Sequence, residues 1–226
     1  MPIVDVSILM TCHNKEEYLN EAIESILRQT YQPKEIILIH DQCNEPMHHT
    51  AVTSIMLPKN VGVCKARDIA FKYSTGHFVL FFDADDVMSP DYIEKMIVLD
   101  ADIAYPDMFL WYVHGKYSGE NKLVSTPEIT PQNMHHHCQI PVTSLITRKV
   151  YETLGGFRNY EIYEDWDFWM RAMIHGFKFK KAQVLLWYRQ LHGTRNRKDM
   201  EIRKQVYFKI QGMYEIKRGK LCEKRQ

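Results

Sequence analysis

The first hundred residues alternate short apolar runs with segments whose apolar positions recur every three or four residues. The apolar runs lie at residues 4–11, 35–40, 52–57 and 78–82. Runs of this length predict buried β-strands, and the periodic segments between them predict α-helices. Because residues 78–82 contain no polar position, they predict a central strand covered on both faces. Strands that alternate with helices are typical of a parallel, doubly wound α/β sheet.

The bounds of the first two helices are predicted from their capping signals. Asn14 is expected to be the N-cap of the first helix, with Glu17 completing a capping box. Asn60 and Gly62 predict the turn into the second helix, which Gly76 is expected to end.

The second half of the chain has a less regular pattern. Aromatic side chains predict strands on either side of a turn at residues 115–119, and residues 135–137, three histidines, are expected in a polar loop. Residues 142–147 and 184–188 predict two more strands. Three helices are predicted, at residues 149–154, at residues 164–175 and around Ile202, Val206, Ile210 and Met213.

Composition and charge exclude several classes of protein. The formal net charge of +1 over 226 residues argues against general nucleic-acid binding. No apolar run approaches the roughly 20 residues that span a bilayer, and the start MPIVDVSILM is too short and polar for a secretion signal. Basic residues gather near the C-terminus. A solvated helix face is the ordinary interpretation, and contact with phosphates or an acidic membrane surface is the alternative.

Five cysteines are scattered along the chain without a C-x-x-C pair. An odd, dispersed set is neither a disulfide framework nor a zinc framework, so we expect a reducing, cytoplasmic compartment. Neighbouring side chains in one short run rarely close a tetrahedral metal site, which favours the polar loop over a zinc site for the three histidines.

Three of the predicted strands run directly into polar clusters, at residues 11–14, 41–44 and 83–86. Ligands of doubly wound sheets bind beyond the carboxyl ends of the strands. We therefore expect the side chains of these three clusters to converge on one binding site.

The most acidic of these clusters is Asp83-Ala84-Asp85-Asp86. Carboxylates gathered at the end of a buried strand repel one another, and a divalent cation relieves that repulsion. Hard oxygen ligands suit Mg²⁺ or Mn²⁺, which would hold a diphosphate and stabilise it as a leaving group. The alternative is a solvated acidic turn that caps the next helix.

A second acidic motif, Glu164-Asp165-Trp166-Asp167, opens the helix predicted at residues 164–175. A carboxylate there could take a proton from an acceptor hydroxyl as a general base. Two or three carboxylates close together would raise the pKa of one of them. The alternative is negative charge that complements the helix dipole. Trp166 is open to two interpretations, a platform for a sugar ring or a core position, whereas Trp169 is predicted to lie in the core.

The order and spacing of these motifs resemble those of family 2 glycosyltransferases with the GT-A fold. The resemblance covers roughly residues 4–195 and rests most on the DAD and EDWD elements. The matching stretches are VSILMTCHN at 6–14, EIILIHDQCNE at 35–45, NVGVCKARDIA at 60–70, FVLFFDADD at 78–86, SLITRKVYETLGGF at 144–157 and EDWDFWMRAMIHG at 164–176. It implies a Rossmann-like, doubly wound, mostly parallel sheet with a smaller acceptor-side part and a C-terminal helix.

The resemblance also implies roles for particular residues. Asp165 would be the catalytic base, with Glu164 beside it on the acceptor side. Asp83 and Asp85 would hold Mn²⁺ or Mg²⁺, with Asp85 as the direct ligand and His192 as a further candidate. The residues that would bind the donor are Thr11, His13, Asn14, Asp41, Arg67, Asp83, Ala84, Arg195 and Arg197.

The nucleotide-side loop departs from the family pattern. Asp41 would read the nucleotide base, and Arg67 would approach the base or a phosphate. Nearby, His13 stands where the family usually has a tyrosine, and Gln42-Cys43 stands in place of a Gly-Ser pair. A UDP-sugar is nevertheless the predicted donor.

The sequence therefore predicts an inverting, metal-dependent transfer of a sugar from a nucleotide-sugar to the hydroxyl of a glycan, lipid-linked or protein acceptor. Residues 1–100 would form the donor-binding half, residues 101–195 the acceptor-binding and catalytic half of the same domain, and residues 196–226 an amphipathic helix and a basic tail. One alternative is a nucleotidyltransferase acting on a sugar phosphate, but no glycine- and lysine-rich phosphate loop is visible near residues 11–15. The other is an inactive nucleotide- or glycan-binding module, against which the intact DAD and EDWD elements argue.

Overall fold

Eleven strands and seven helices make up the part of the chain that the structure, a computed structural model, describes: residues 4–43, 46, 49–112, 119–190 and 200–224. In chain order they are β1 (Val6–Cys12), α1 (Glu16–Leu27), β2 (Glu35–Asp41), β3 (Thr53–Leu57), α2 (Val63–Tyr73), β4 (Phe78–Asp83), β5 (Val87–Met88), α3 (Tyr92–Ile97), β6 (Ile103–Tyr112), β7 (Lys122–Val124), α4 (Pro131–His136), β8 (Leu145–Thr147), α5 (Arg148–Leu154), α6 (Glu164–Ile174), β9 (Phe179–Gln190), α7 (Met200–Met213), β10 (Tyr214–Lys217) and β11 (Lys220–Glu223).

Nine of the described strands form one sheet in the order β3-β2-β1-β4-β8-β6-β9-β5, with β7 paired to β6 as well. From β3 to β4 all neighbours are parallel. Beyond β4 the sheet is mixed, since β8 is antiparallel to both β4 and β6 while β6 is parallel to β9. The wholly parallel part therefore lies within the first hundred residues, where alternating strands and helices predicted it, although β5 in the same stretch is antiparallel to β9.

β4 is the central strand that its apolar run predicted. Val79 and Phe81 pack into one core with α2 and α6, and Leu80 and Phe82 pack into a second core with α1 and α3. All four side chains are at most 1% exposed. Successive side chains of a strand point to opposite faces, so a run without polar positions satisfies two covered faces. The predicted doubly wound α/β sheet is confirmed.

The strand register brings the polar clusters to one edge of the sheet. β1 lies between β2 and β4, and Thr11 near its end is level with Ile39 of β2 and Asp83 of β4. The segments that follow these three parallel strands consequently leave the sheet at the same edge. The three polar clusters thus begin at one edge of the sheet, as predicted, and Asn44 lies outside the described residues.

The capping box predicted for α1 is wrong. The helix begins at Glu16, Lys15 takes the N-cap position, and no side chain caps it. Asn14 has a positive φ of 54°, whereas an N-cap residue normally has β-region dihedrals. Asn14 therefore turns the chain before the helix and does not cap it.

α2 begins where predicted but ends earlier. Gly62, with φ of 84°, precedes its first residue, and the helix stops at Tyr73. Gly76 does not end the helix, and its importance is in packing. A Cβ at this position would lie 2.5 Å from Ser7 Oγ, which is closer than side-chain atoms normally approach.

The histidine run is mostly helical, so the predicted polar loop is wrong. α4 covers Pro131–His136, and Thr130 and Asn133 form a capping box at its start. His135 Nε2 lies 3.2 Å from the carbonyl oxygen of Tyr214. The overlooked signal is a capping hydroxyl followed by proline at the first helical position.

α7 confirms the predicted C-terminal helix, but residues 214–223 form a hairpin and not a tail. β10 and β11 pair in antiparallel fashion. The hydroxyl of Tyr214 donates to Asp167 Oδ1 at 2.6 Å, and Arg158 Nη2 donates to Glu223 Oε1 at 3.0 Å. These bonds attach the hairpin to the start of α6 and to the segment that precedes it. Of the helices within the described ranges, none has the length and apolar character needed to cross a lipid bilayer.

Candidate active site

A cleft of about 850 Å³ opens at the carboxyl ends of β1, β2 and β4. The start of α6 and residues 138–142 also border it. The predicted site residues that line the cleft are Thr11, His13, Asp41, Arg67, Asp83, Ala84, Asp85, Glu164 and Asp165. Asn14 is exposed and is not among the lining residues. His192, Arg195 and Arg197 lie outside the described residues.

One buried guanidinium joins the two acidic motifs. Arg67 Nη2 donates to Asp83 Oδ1 and Nη1 donates to Glu164 Oε1, both at 2.9 Å. Burial opposes the charge on Arg67, but the carboxylates of Asp83 and Glu164 outweigh it and raise the pKa of the guanidinium. The ends of β4 and α6 therefore meet across a single side chain. Because both terminal nitrogens hold carboxylates, direct contact of Arg67 with a donor stays a prediction.

The acidic turn, residues 83–86, concentrates negative charge in a buried place. Lys15 Nζ donates to Asp85 Oδ2. Burial raises the pKa of Asp85, with the Lys15 ammonium opposing the rise and the Asp83 carboxylate adding to it. Burial, together with the carboxylates of Asp85 and Asp83, raises the pKa of Asp86 well above its usual range. The carboxylate crowding that the sequence predicted at this strand end is present.

Arg189 of β9 holds the acidic turn in place. Its backbone N–H donates to Asp86 Oδ1 at 3.0 Å, and its Nε donates to the carbonyl oxygen of Asp85 at 2.8 Å. Nη2 donates to Glu21 of α1. The guanidinium carbon lies 4.2 Å from the ring centre of Trp111, within the range of a cation–π contact. A single side chain thus ties the turn to α1 and to β6.

The acidic turn fits a divalent cation in its chemistry. Asp86 Oδ2 is buried and accepts no hydrogen bond from a described residue, which is costly unless a cation or a proton satisfies it. Asp83 and Asp85 would hold a cation through the oxygens that Arg67 and Lys15 do not use. Mg²⁺ is commonly held by one or two carboxylates, with substrate phosphates and waters completing its ligands.

Asp41 aligns the segments that follow β2 and precede α2. Its Oδ1 accepts from the backbone N–H of Val61 at 2.7 Å, and its Oδ2 accepts from that of Gly62 at 3.0 Å. His13 Nδ1 lies 2.7 Å from the carbonyl oxygen of Asp41. The residue therefore stabilises the loops around the cleft, and its predicted contact with a nucleotide base stays a prediction.

The acidic helix start, residues 164–167, divides its carboxylates among separate partners. Glu164 is buried against Arg67, and Asp167 is fully buried away from the cleft lining. The partners of Asp167 are Arg158, Arg171 and Tyr214. Asp165 is half-buried and borders the cleft. The sequence predicted that the carboxylates of this motif lie close together, and that prediction is wrong. Asp165 is the carboxylate of the motif best placed to meet a substrate.

Trp166 belongs to the core and is not a platform for a sugar. Its side chain is fully buried, and its indole Nε1 donates to the carbonyl oxygen of Met134 at 2.6 Å. Its ring stacks on Tyr207 of α7 with 5.1 Å between centroids. Trp169 is also buried, as predicted.

Two cations that border the cleft, Lys15 and Arg189, were missed from the sequence, and Arg203 was noted only as one of the basic residues near the C-terminus. Arg203 of α7 donates to the hydroxyl of Tyr163 at 3.3 Å and lies over its ring. A single lysine or arginine outside any motif carries no local signal, because the carboxylate or ring it meets is distant in sequence.

Known proteins share this combination of a cleft, an acidic turn and parallel strands. A profile described as Glycosyl transferase family 2 matches residues 7–155, which is well over half of the chain. The chain belongs to glycosyl transferase family 2. The matched residues of this family 2 chain include the strand ends and the acidic turn, so the resemblance inferred from the motifs is confirmed. The assignment favours a glycosyltransferase over the nucleotidyltransferase alternative.

Curated relatives of this family 2 chain include bacterial glycosyltransferases. It is 29% identical over 180 residues to the uncharacterized glycosyltransferase YwdF of Bacillus subtilis, covering 74% of the chain and 67% of YwdF. It is 24% identical to WfaP of Escherichia coli over 199 residues, which cover 83% of the chain and 77% of WfaP. WfaP is described as a UDP-Glc:alpha-D-GlcNAc-diphosphoundecaprenol beta-1,3-glucosyltransferase. The minor teichoic acid biosynthesis protein GgaB of Bacillus subtilis is 30% identical over 163 residues, which are 64% of the chain and 18% of GgaB.

Solved structures of S. aureus TarS share the fold. TarS 1-349 in complex with UDP-GlcNAc matches with a TM-score of 0.67 and 18% identity, over 89% of the family 2 chain and 65% of the TarS chain. The same fragment in complex with UDP matches with a TM-score of 0.64 and 19% identity, over 82% and 60%. The chain thus spans less than two thirds of these TarS chains. The likeness confirms the predicted GT-A fold.

Proposed function

We propose that this protein transfers a sugar from a nucleoside diphosphate sugar to a hydroxyl group of a glycan or lipid-linked acceptor, with inversion at the anomeric carbon. The observation that carries the proposal is the Arg67 bridge, because it places the acidic turn and the acidic helix start around one cleft. A leaving diphosphate and an attacking hydroxyl must meet at one carbon atom, so both motifs have to border the same space.

A UDP-sugar is the donor that the relatives favour. The description of WfaP specifies UDP-Glc and a diphosphoundecaprenol-linked acceptor, and TarS was solved with UDP-GlcNAc. The cleft of about 850 Å³ is within the usual range for sites of small molecules and cofactors, about 300–1,000 Å³.

In the proposed reaction Asp165 takes the proton of the acceptor hydroxyl as its oxygen attacks the anomeric carbon. The bond from that carbon to the diphosphate oxygen breaks as the new bond forms on the opposite face. Lys15 and Arg203, which border the cleft, offer positive charge to the departing diphosphate. A divalent cation held by Asp83 and Asp85 supplies further charge stabilisation when bound.

The experiment is a screen of nucleotide-sugars with Mn²⁺ or Mg²⁺, read by release of nucleoside diphosphate. Release of UDP from a UDP-sugar, accelerated by an acceptor and abolished by EDTA, is expected. Asp165→Asn should abolish release, while the matched control Asp100→Asn, at an exposed carboxylate, should retain it. If no donor releases a nucleoside diphosphate, the proposed class of donor is contradicted. If the enzyme is fully active in EDTA, the proposed role of the cation is contradicted.

A lipid-linked acceptor would bring the protein to a membrane surface. Lys217, Arg218 and Lys220, at the tip of the β10–β11 hairpin, offer positive charge to an anionic headgroup layer. Co-sedimentation with vesicles containing anionic lipid, lost on replacing these three residues by glutamine, is the expected result. Equal sedimentation of the unaltered protein and the variant would argue against this contact with the membrane.

A further inference from the structure

Two thiols and a carboxylate meet beside the cleft, at a place separate from the acidic turn. Cys12 Sγ, Cys43 Sγ and a carboxylate oxygen of Glu16 all lie within 4.8 Å of one another. Cys12 is the last residue of β1, and Cys43 follows the end of β2. Because these strands are parallel neighbours, two cysteines distant in sequence reach the same edge of the sheet, and the first turn of α1 adds the carboxylate.

We propose that Cys12, Cys43 and Glu16 bind a divalent metal ion of the zinc class. Thiolate and carboxylate are both zinc ligands, and the ligand atoms of a tetrahedral site with Zn–S bonds of about 2.3 Å lie about 3.7 Å apart. The separation in the structure is within reach of that geometry. A water molecule would complete the four ligands.

The proposed site differs in chemistry from the acidic turn. Soft thiolates select zinc-like ions, whereas a set of carboxylate oxygens suits Mg²⁺ or Mn²⁺. The choice of ion should therefore favour one site over the other. Cys12 borders the cleft together with Thr11 and His13, so a bound ion would link the segments after β1 and β2 beside the donor site.

The hydrogen bond between the two segments shows how close the thiols already lie. Cys43 Sγ donates to the carbonyl oxygen of Cys12 at 3.1 Å. Because the thiolate and not the thiol is the zinc ligand, forming two metal–sulfur bonds releases two protons to solvent, while Glu16 contributes an oxygen.

The test uses Co²⁺ as a spectroscopic probe on the reduced protein after treatment with chelator, in excess Mg²⁺ to occupy oxygen sites. Thiolate-to-cobalt charge-transfer absorption should saturate at one equivalent and disappear when Zn²⁺ is added. Cys43→Ser and Cys12→Ser should abolish this absorption, and the control Cys222→Ser, at a thiol on β11, should retain it. Glu16→Gln should weaken Zn²⁺ binding by roughly tenfold or more.

Because Cys12 is fully buried, its variant could lose stability for reasons unrelated to metal. Cys43 is only partly buried, so Cys43→Ser is the decisive variant, with its fold checked by circular dichroism. Absence of charge-transfer absorption in the unaltered protein, or equal absorption in Cys43→Ser, would overturn the proposal. So would a Cys12–Cys43 disulfide that forms in air at the same rate with and without Zn²⁺.

Discussion

The acidic turn and the acidic helix start are both four-residue motifs with three carboxylates, yet they treat that charge in opposite ways. In the turn, Asp86 is buried beside the half-buried Asp85, and the pKa values of both rise. In the helix start, Glu164 pairs with Arg67 while Asp167 pairs with other arginines. The carboxylates of the first motif repel one another, whereas those of the second pair with separate partners and leave Asp165 at the cleft.

The backbone explains this difference. The turn follows a buried strand, and its carboxylates stay close enough together that each raises the pKa of its neighbour. Successive residues of a helix are rotated by about 100°, so the carboxylates of the helix start point in different directions and find different partners. A similar composition therefore gives coupled carboxylates in one place and separately paired carboxylates in the other.

The largest effect that would sharpen this comparison is expected for Asp165→Asn. If Asp165 is the one carboxylate of the helix start that acts on the acceptor, its loss should lower kcat by about 10³-fold. Donor affinity should change little, because the acidic turn is intact. Kinetics with titration of UDP check both quantities, and an active Asp165→Asn enzyme would contradict the assigned role.

Asp167→Asn tests the structural carboxylate of the same motif. Asp167 is fully buried with two arginines, and removing one partner of such a set leaves buried charge without compensation. We expect a loss of about 3 kcal/mol in the free energy of unfolding, measured by urea denaturation. The fraction of the variant that folds should retain its affinity for the donor. If the variant is as stable as the unaltered protein, Asp167 is not the structural carboxylate that distinguishes it from Asp165.

Arg189→Lys tests what holds the acidic turn. Lysine keeps the charge but lacks the planar fork that reaches Asp85 and Glu21 together. A loss of about 2 kcal/mol in the free energy of unfolding is expected, with weaker binding of Mn²⁺ measured by calorimetry. Lys180→Arg, an exchange of the same pair of side chains in the same strand β9, serves as the control. Equal Mn²⁺ affinity in Arg189→Lys would show that the turn keeps its shape without Arg189.

The smallest expected effect is the pH dependence of Asp86→Asn. The pKa of Asp86 is raised on folding, so its contribution to stability is complete below its usual pKa of about 4 and is lost as pH rises through the raised value. Asparagine imitates the protonated form. In EDTA at pH 8 the variant should gain about 2 °C in Tm, and the gain should vanish at low pH. A gain in Tm that does not change with pH would contradict the raised pKa of Asp86.

Local patterns were sufficient for the parallel half of the fold and for much of the site. The unbroken apolar run of β4 determines a strand covered on both faces, and parallel strands place Asp41, Asp83 and Asp85 at one edge. The acidic start of α6 could be recognised because it opens an amphipathic helix, whereas the choice of Asp165 within it came from the family resemblance. These features depend on residues that are close in sequence.

The remaining features depend on partners that are distant in sequence. Lys15 and Arg189 acquire their roles only when β1 and β9 meet the acidic turn. Cys12 and Cys43 form no recognisable spacing, since the sheet register alone brings them together. The capping box at Thr130 is the exception, because its signal was local and was overlooked.

The Arg67 bridge also bears on how the chain folds. Its guanidinium belongs to the first hundred residues, and Glu164 belongs to the following stretch. In a fragment that ends near residue 100, the Arg67 guanidinium would keep Asp83 as its remaining carboxylate partner. The edge of β4 that pairs with β8 would also be exposed. The two stretches should therefore unfold in one cooperative transition, and neither should fold when expressed without the other.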